Sequence, residues 1–336
     1  MKKFMTKGLP AGLLIALCLG VPILAATEAA APEKVLAAVK SEWPEATVQF
    51  ISQVRPGMWR YAVGRNVNGA KETLLVNVTR DGVVAEVTIP SVAFSSLPKA
   101  IAEAATAVAP DARFNSAWYD EQRLDENMQK LAKPIIRYRV SALLGAPAQV
   151  APGVSLKYSR TLGVTVTEAG VVTRILHTGL KADELPKVLT EAVAELSPGG
   201  EIVSIVRLET LVDDDMAKLP RPMITYGISL TLKVEEGPGT VQLKAAEDGL
   251  VMEIATSCPP QDLPQIVRQA WDAAKPAGED LFLARKVEKR VDKDMARLAR
   301  PEVTYEVSRQ GPQGKVTVLI AENGTIVRDP PRTKPE

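Results

Sequence analysis

Three short segments of the chain carry acidic residues at the same spacing. Asp125, Asp213 and Asp292 each begin a D-x-x-M-x-x-L segment, and an acidic or amide residue follows two positions later. Alternating side-chain oxygens of this kind open the calcium loops of EF-hand proteins, but the glycine and the distal glutamate of such loops are absent. The alternative is that each Asp caps a short helical turn, which the following proline ends. We favour the cap, and we assign no metal ligands.

Each segment continues into a strand with a tyrosine at a constant position. Ile224, Tyr226 and Ile228 share one face of this strand, because side chains alternate along a strand. The tyrosines are therefore expected in a core beneath a helix, and the methionines of the helical turns are expected to point inward. The repeated structural positions are Asp125, Met128, Tyr138, Asp213, Met216, Tyr226, Asp292, Met295 and Tyr305.

Residues for catalysis are scarce. His177 is the only histidine, and the chain has no G-x-S-x-G, no H-E-x-x-H and no glycine-rich phosphate loop. A nucleophile activated by a histidine would need partners that this chain does not supply in any recognisable motif. We therefore predict that the protein is not an enzyme and holds no cofactor. A pair of carboxylates that performs acid–base chemistry stays an open alternative.

Candidate partner-binding residues cluster in the second quarter of the chain. Trp118 and Tyr119 precede the first D-x-x-M segment, while Arg137 and Arg139 lie on the predicted polar face of the strand that follows it. A long connection at 143–153 has no counterpart elsewhere. The alternative is an ordinary solvated surface, since single exposed aromatics are common. With 41 basic and 40 acidic residues, the chain lacks the positive surface that nucleic-acid binding needs.

The elements that must position these residues are repeated. An amphipathic helix recurs at 33–44, 97–110, 185–198 and 263–276, and each copy ends at a proline. Each copy is followed by strands, and a hairpin turn with glycine closes each repeat, as in TRDGVV and AENGTI. The fold class that we predict is α+β, with four tandem units that each pack one helix on a small antiparallel sheet. The predicted units are repeat 1 (30–91), repeat 2 (95–179), repeat 3 (182–257) and repeat 4 (260–329), with a disordered tail at 330–336.

The N-terminal residues 1–26 have the pattern of a secretory signal. Lys2, Lys3 and Lys7 precede an uncharged apolar run, and small residues follow it. The run is shorter than the ~20 residues of a spanning helix, so we favour cleavage over an anchor. The mature protein is then periplasmic or secreted and has no membrane span. Cys258 remains as its single cysteine, which we expect to be buried rather than to form a disulfide dimer.

The repeats resemble PepSY-like domains. The resemblance lies in helices that end in P-x-A, as in ATAVAPDA (105–112), and in the hairpin VNVTRDGVV (76–84). PepSY-like domains are similar to the repeats of bacterial β-lactamase inhibitor protein, and they occur in propeptides of thermolysin-type proteases. The resemblance implies non-enzymatic binding outside the cytoplasm, with restraint of a hydrolase as one form. The D-x-x-M insertion is not part of the family pattern.

Two functions follow from these observations. The first is an exported binding protein, inhibitor-like or peptide-binding, with a protein or peptide partner. The alternative is a structural repeat protein of the cell envelope that acts as a spacer or scaffold.

Overall fold

The structure is a computed structural model. It describes residues 33–55, 57–67, 69–125, 127–144, 160–213, 215–234, 237–274, 281–292, 294–311 and 314–328. The predicted signal peptide and the predicted disordered tail lie outside these residues.

Four α-helices of ten residues coincide with the periodic segments of the sequence. They are α1 (Glu33–Glu42), α2 (Lys99–Val108), α3 (Lys187–Leu196) and α4 (Gln265–Ala274). Pro98 and Pro186 occupy the N-cap positions of α2 and α3, where the missing N–H of proline costs no helical hydrogen bond. None of the helices in the described part of the chain is long and apolar enough to cross a membrane.

Sixteen strands occupy most of the remaining described residues. The first eight are β1 (Thr47–Arg55), β2 (Met58–Val67), β3 (Ala70–Thr79), β4 (Val84–Ala93), β5 (Arg113–Leu124), β6 (Lys130–Leu144), β7 (Arg160–Thr167) and β8 (Val172–Thr178). The second eight are β9 (Glu201–Val212), β10 (Lys218–Val234), β11 (Gly237–Ala246), β12 (Val251–Cys258), β13 (Leu281–Val291), β14 (Arg297–Gly311), β15 (Gly314–Ala321) and β16 (Ile326–Arg328).

All sixteen described strands form one antiparallel sheet in chain order, β1 to β16. The prediction of four separate units, each with its own small sheet, is therefore wrong. The last strand of one repeat pairs with the first strand of the next, as β4 does with β5 through Thr88 and Asp120. The same continuity joins β8 to β9 and β12 to β13. Separate sheets would leave a row of unpaired backbone N–H and C=O groups at every boundary, and pairing across the boundary removes those rows.

The helices all cover the same face of this sheet, which we call the helix face. Residues directly opposite each other on neighbouring strands share a face. Ile89, which packs in the cluster of α1, stands opposite Tyr119, and Tyr119 stands opposite Tyr138, which packs in the cluster of α2. Within the described residues, four large hydrophobic clusters each contain one helix and the strands beneath it. The opposite face, which carries no helix, is called the open face.

Candidate functional site

The three D-x-x-M segments are hairpin loops and not the predicted helical turns. They connect β5 to β6, β9 to β10 and β13 to β14. In the second loop, Oδ1 of Asp213 accepts a hydrogen bond from the amide of Ala217 at 2.8 Å, and the amide of Asp213 donates to the carbonyl of Ala217. Asp125 and Asp292 accept equivalent bonds from the residues four positions on. The aspartates thus close a loop, where the sequence suggested the first turn of a helix.

The methionines of these loops have an unusual backbone conformation. Met128, Met216 and Met295 have φ of 65°, 64° and 65°, the left-handed region that bulky side chains rarely adopt. The side chains of Met128 and Met216 are exposed, so the prediction that the methionines point into a core is wrong for these two. Within the described residues, no group of three or more His, Cys, Asp or Glu side chains could hold a metal ion.

After each loop, the second strand makes a wide bulge. Lys218 stands opposite Val212, but Met223 already stands opposite Thr210, so the four residues 219–222 of β10 face a single residue of β9. The same register shift occurs on β6 and β14, at 131–134 and 298–301. These bulges are the L-x-[RK]-P part of the repeated phrase, and the β1–β2 hairpin of repeat 1 lacks that part.

A cleft lies where such a bulged strand meets the helix of the preceding repeat. The first joint cleft, between repeats 1 and 2, has a volume of about 440 Å³, and the third joint cleft, between repeats 3 and 4, has about 360 Å³. The first is lined by Ala38, Ser41, Glu42, Gly82, Val83, Val84, Arg123 and Lys130. The third is lined by Ala192, Glu195, Leu196, Gly249, Val251, Arg290, Arg297, Leu298 and Pro301. The two clefts occupy equivalent positions in the repeat.

Beside these joints, the first strand of each later repeat places a glutamate on the helix face. Glu121, Glu209 and Glu288 each stand four positions before the loop aspartate, and their side chains are 17%, 16% and 23% exposed. The sequence analysis missed this pattern, although the E-x-x-x-D spacing is present in all three repeats. Carboxylates with so little exposure are expected to be paired with positive charge or hydrogen-bond donors.

The first of these glutamates joins an arginine and a tyrosine. Nε of Arg123 donates to Glu121 at 2.6 Å, and the hydroxyl of Tyr119 donates to the same carboxylate at 2.7 Å. Burial raises the pKa of Tyr119 far above its ordinary value, and the hydrogen bond to Glu121 adds to this effect. The tyrosine of this cluster is therefore neutral at neutral pH.

The second and third glutamates are paired in the same way with other cations. Glu209 accepts from Arg207 at 2.6 Å and lies 3.2 Å from Nε2 of His177. Burial lowers the pKa of His177, so its ring is neutral at pH 7 and donates through Nε2. In the third cluster, Lys286 approaches Glu288 at 2.8 Å and lowers the pKa of that carboxyl, while Arg290 approaches it at 3.2 Å.

The residues that the sequence nominated for partner binding do not form one surface. Trp118, Arg137 and Arg139 lie on the open face, while Tyr119 points to the helix face because adjacent side chains alternate. The Arg139 guanidinium carbon lies 5.1 Å from the centre of the Trp118 ring, and the side chain pairs with Asp120 through two contacts of 2.7 and 3.1 Å. Most of the predicted connection, 145–153, lies outside the described residues.

Asp120 holds this open-face group together. Besides Arg139, it accepts a hydrogen bond from the hydroxyl of Thr88 at 3.0 Å, across the boundary between β4 and β5. Arg137 stands opposite Asp120 in the register of β5 and β6. The indole of Trp118 remains 39% exposed. The result is a tryptophan and an arginine held side by side on the open face.

The repeated tyrosines and the cysteine lie on or near the helix face. Tyr226 and Tyr305 are 4% and 5% exposed within the clusters of α3 and α4. Tyr138 is partly buried beneath α2, and its ring meets that of Tyr119 edge to face at 5.4 Å. Cys258 is free and partly buried against the cluster of α4, and burial raises the pKa of its thiol.

Comparison with known proteins yields similar solved structures, among them two from Bacteroides species. No family model matches the sequence, and no curated protein matches it. One structure, named as a periplasmic protein from Bacteroides eggerthii, is 17% identical, covers 43% of this chain and 87% of its own, and has a TM-score of 0.30. A DUF2874 family protein from Bacteroides ovatus is 16% identical, covers 42% of this chain and 83% of its own, and has a TM-score of 0.29. The resemblance to PepSY-like domains stays a prediction.

Proposed function

We propose that the protein is an exported, non-enzymatic binding protein that holds a protein or peptide partner on the open face, around Trp118 and Arg139. The observation that carries this proposal is the stacked pair itself. Tryptophan and arginine are the residue types that most often dominate binding energy at protein interfaces. Asp120 already fixes the arginine, so a partner need not order that side chain on binding.

The absence of enzymatic activity is part of this proposal. It is supported by how the ionisable groups of the helix face are used. Glu121, Glu209 and Glu288 are each engaged by a cation, and His177 is engaged by Glu209. A general base must be free to accept a proton from a substrate, and these carboxylates are already charge-compensated.

Export is supported by the charged and apolar pattern of residues 1–26. We expect protein recovered from the cell envelope to begin after residue 26, which an intact-mass measurement checks. Retention of Met1 would replace cleavage by an anchored form. The partner that the PepSY-like resemblance suggests is a hydrolase or peptidase in the same compartment.

The binding surface is tested with the mature chain, residues 27–336, as bait in an extract of its own cell envelope. A Trp118→Ala/Arg139→Ala variant should lose the captured partner by at least about tenfold, because interface residues of this kind each contribute over ~1 kcal/mol. Its stability should change by less than ~1 kcal/mol, since both side chains are exposed. The matched control is Arg221→Ala/Met223→Ala, which removes an exposed arginine and an exposed apolar side chain from repeat 3. Equal capture by all three proteins would reject the open-face site.

A structural spacer is the second candidate function. The continuity of the sheet across the repeat boundaries favours it, because backbone pairing at each boundary resists bending between repeats. A spacer depends on the number of repeats and not on two open-face side chains. If the protein is a spacer, cells whose protein lacks one repeat should have the same altered cell envelope as cells without the protein. Cells with the Trp118→Ala/Arg139→Ala protein should have a normal envelope.

A further inference from the structure

The first and third joint clefts lie at equivalent positions but are lined by different side chains. When the repeats are superimposed in sequence, Arg123 and Lys130 of the first cleft correspond to Arg290 and Arg297 of the third. Both clefts are also bounded by the glycine of a hairpin turn and by the last turn of a helix. In the middle joint, Leu211 takes the position of the first arginine.

In the first cleft, the arginine has two carboxylate partners. Nε of Arg123 donates to Glu121 at 2.6 Å, and Nη1 approaches Glu42 at 2.7 Å. Glu42 is the last residue of α1, so this ion pair connects repeat 1 to repeat 2. The guanidinium group, which offers several donors in one plane, is thus satisfied on two sides.

In the third cleft, one of these carboxylates is missing. Leu196 of α3 occupies the position of Glu42, and among the described residues Arg290 reaches only Glu288, which it shares with Lys286. Nε of Arg290 is buried and has no hydrogen-bond partner in the described part of the chain. A buried donor without a partner carries the full cost of its desolvation. Within the described residues, Arg290 has one carboxylate partner, through Nη2, where its counterpart Arg123 has two.

The rest of the third cleft suits a carboxylate on an apolar stem. Arg297 lines the cavity and makes no ion pair within the described residues, so a second guanidinium is available there. Leu196, Val251 and Leu298 supply apolar walls. Glu195 also lines the cavity, but it forms no ion pair with either arginine. The cleft, at about 360 Å³, is large enough for a small ligand that contacts both kinds of residue.

We propose that the third joint cleft binds an alkyl carboxylate, which takes the place that Glu42 occupies in the first cleft. The ligand is a small free dicarboxylate or an acidic side chain of a peptide, and the two share the same chemistry. On binding, the ligand carboxylate accepts from the Arg290 guanidinium at the place where Glu42 accepts from Nη1 of Arg123. This site is on the helix face, and it is independent of the open-face site proposed above.

Because the two clefts are equivalent, exchanging Leu196 and Glu42 between them should block the site in the third cleft or create a second site in the first. Calorimetric titration of the mature protein with glutarate should give one site per chain. Leu196→Glu supplies an internal carboxylate and should weaken binding by more than about tenfold, the usual effect of a charge-assisted hydrogen bond. Glu42→Leu removes the internal carboxylate of the first cleft and should raise the stoichiometry to two.

Further variants and probes guard against misfolding and misassignment. Arg297→Gln changes an exposed residue and should weaken glutarate binding severalfold with an unchanged melting temperature, while Glu195→Gln should not weaken it. N-acetylglutamate amide should bind and N-acetylglutamine amide should not. Tighter binding of glutarate would identify a free dicarboxylate as the ligand, and tighter binding of N-acetylglutamate amide would identify an acidic side chain of a peptide. Equal binding of the glutamine and glutamate compounds would overturn the proposal. So would glutarate binding that is insensitive to Leu196→Glu and Arg297→Gln, or the absence of saturable binding to every probe.

Discussion

Trp118 and Tyr119 are neighbours in the chain, but they experience different surroundings. Trp118 faces solvent on the open face beside Arg139, while Tyr119 is hydrogen-bonded to Glu121 on the helix face. The same division applies to the cations, since Arg123 is enclosed by two carboxylates and Arg139 is more than half exposed. A substitution in the buried core beneath the helices should therefore affect stability, and one of the exposed residues on the open face should affect binding.

The repeated tyrosines allow this division to be measured. Tyr226→Ala should lower the free energy of unfolding by ~3–5 kcal/mol, because it empties a core position beneath α3. Arg139→Ala, the matched control on the open face, should lower it by less than ~1 kcal/mol. Urea denaturation of the two variants gives both values. A stable Tyr226→Ala protein that no longer binds its partner would instead make the tyrosines the binding surface.

His177 makes stability depend on pH in one narrow window. Burial lowers its pKa in the folded protein, although the charge of Glu209 opposes this effect. As pH falls below the ordinary histidine pKa of about 6.5, the unfolded chain takes up the proton first, so the free energy of unfolding decreases. Because His177 is the only histidine, His177→Gln should remove this decrease between pH 7.5 and 5.5. Urea melts across that range test it, and parallel curves for the two proteins would contradict it.

At the scale of elements, the hairpin loops and the bulges after them act as one device. The loop aspartate closes the hairpin, the methionine turns the chain with positive φ, and the extra residues of the bulge reach the joint with the preceding repeat. Repeat 1 has no such loop, and a short hairpin joins its β1 and β2. The three D-x-x-M segments therefore belong to the joints between repeats, and the open face is made of β-strand residues.

The methionine conformation predicts an unusual response to glycine. A left-handed backbone costs a bulky residue ~1–2 kcal/mol, and glycine avoids this cost but loses ~0.5–1 kcal/mol of chain entropy. Met216→Gly should therefore raise the free energy of unfolding by up to ~1 kcal/mol, and Met216→Val should lower it by ~1 kcal/mol or more. Met223→Gly is the control, because Met223 is equally exposed but lies in β10, where glycine should destabilise. Equal losses for both glycine variants would show that Met216 is not strained.

At the scale of the molecule, the sheet has two outer strands within the described residues, and each is poorly suited to further pairing. β1 contains two register shifts along its pairing with β2, and β16 has only three residues. Bulges and short edge strands are common protection against edge-to-edge association. Both outer strands of the described sheet thus carry features that oppose further pairing.

Continuity of the sheet predicts that the repeats unfold together. Backbone pairing crosses every repeat boundary in the described chain, and the ion pair of Arg123 with Glu42 adds to the first boundary. Strong coupling between neighbours makes a repeat array cooperative. Two variants that each keep one tryptophan, Trp59 in repeat 1 or Trp271 in repeat 4, should give the same urea midpoint by fluorescence. Separate midpoints would show that the boundaries are weak.

Local properties of the sequence were sufficient to place the helices and the turns. The apolar stripe with proline at both ends predicts each ten-residue helix, because these signals act within a few residues of one another. The glycines of the hairpins at Gly82, Gly170, Gly249 and Gly324 have the positive φ that their turns require. Alternation along β10 likewise placed Tyr226 on the face that the helix covers.

Only the tertiary structure decided which strands pair beyond each repeat and what lies at the joints. Alternation states which face a side chain occupies, but it says nothing about the partner of a strand edge, since backbone groups pair equally well with any strand. The loop conformation of Met216 depends on closing a hairpin against the bulge of β10, a constraint that the helical reading of D-D-M-A-K-L could not include. The missing acceptor of Arg290 appears only when α3 and β13, about a hundred residues apart from Leu196 to Arg290, come together. Interactions between distant parts of the chain depend on how those parts pack, and the sequence of a single segment does not predict that packing.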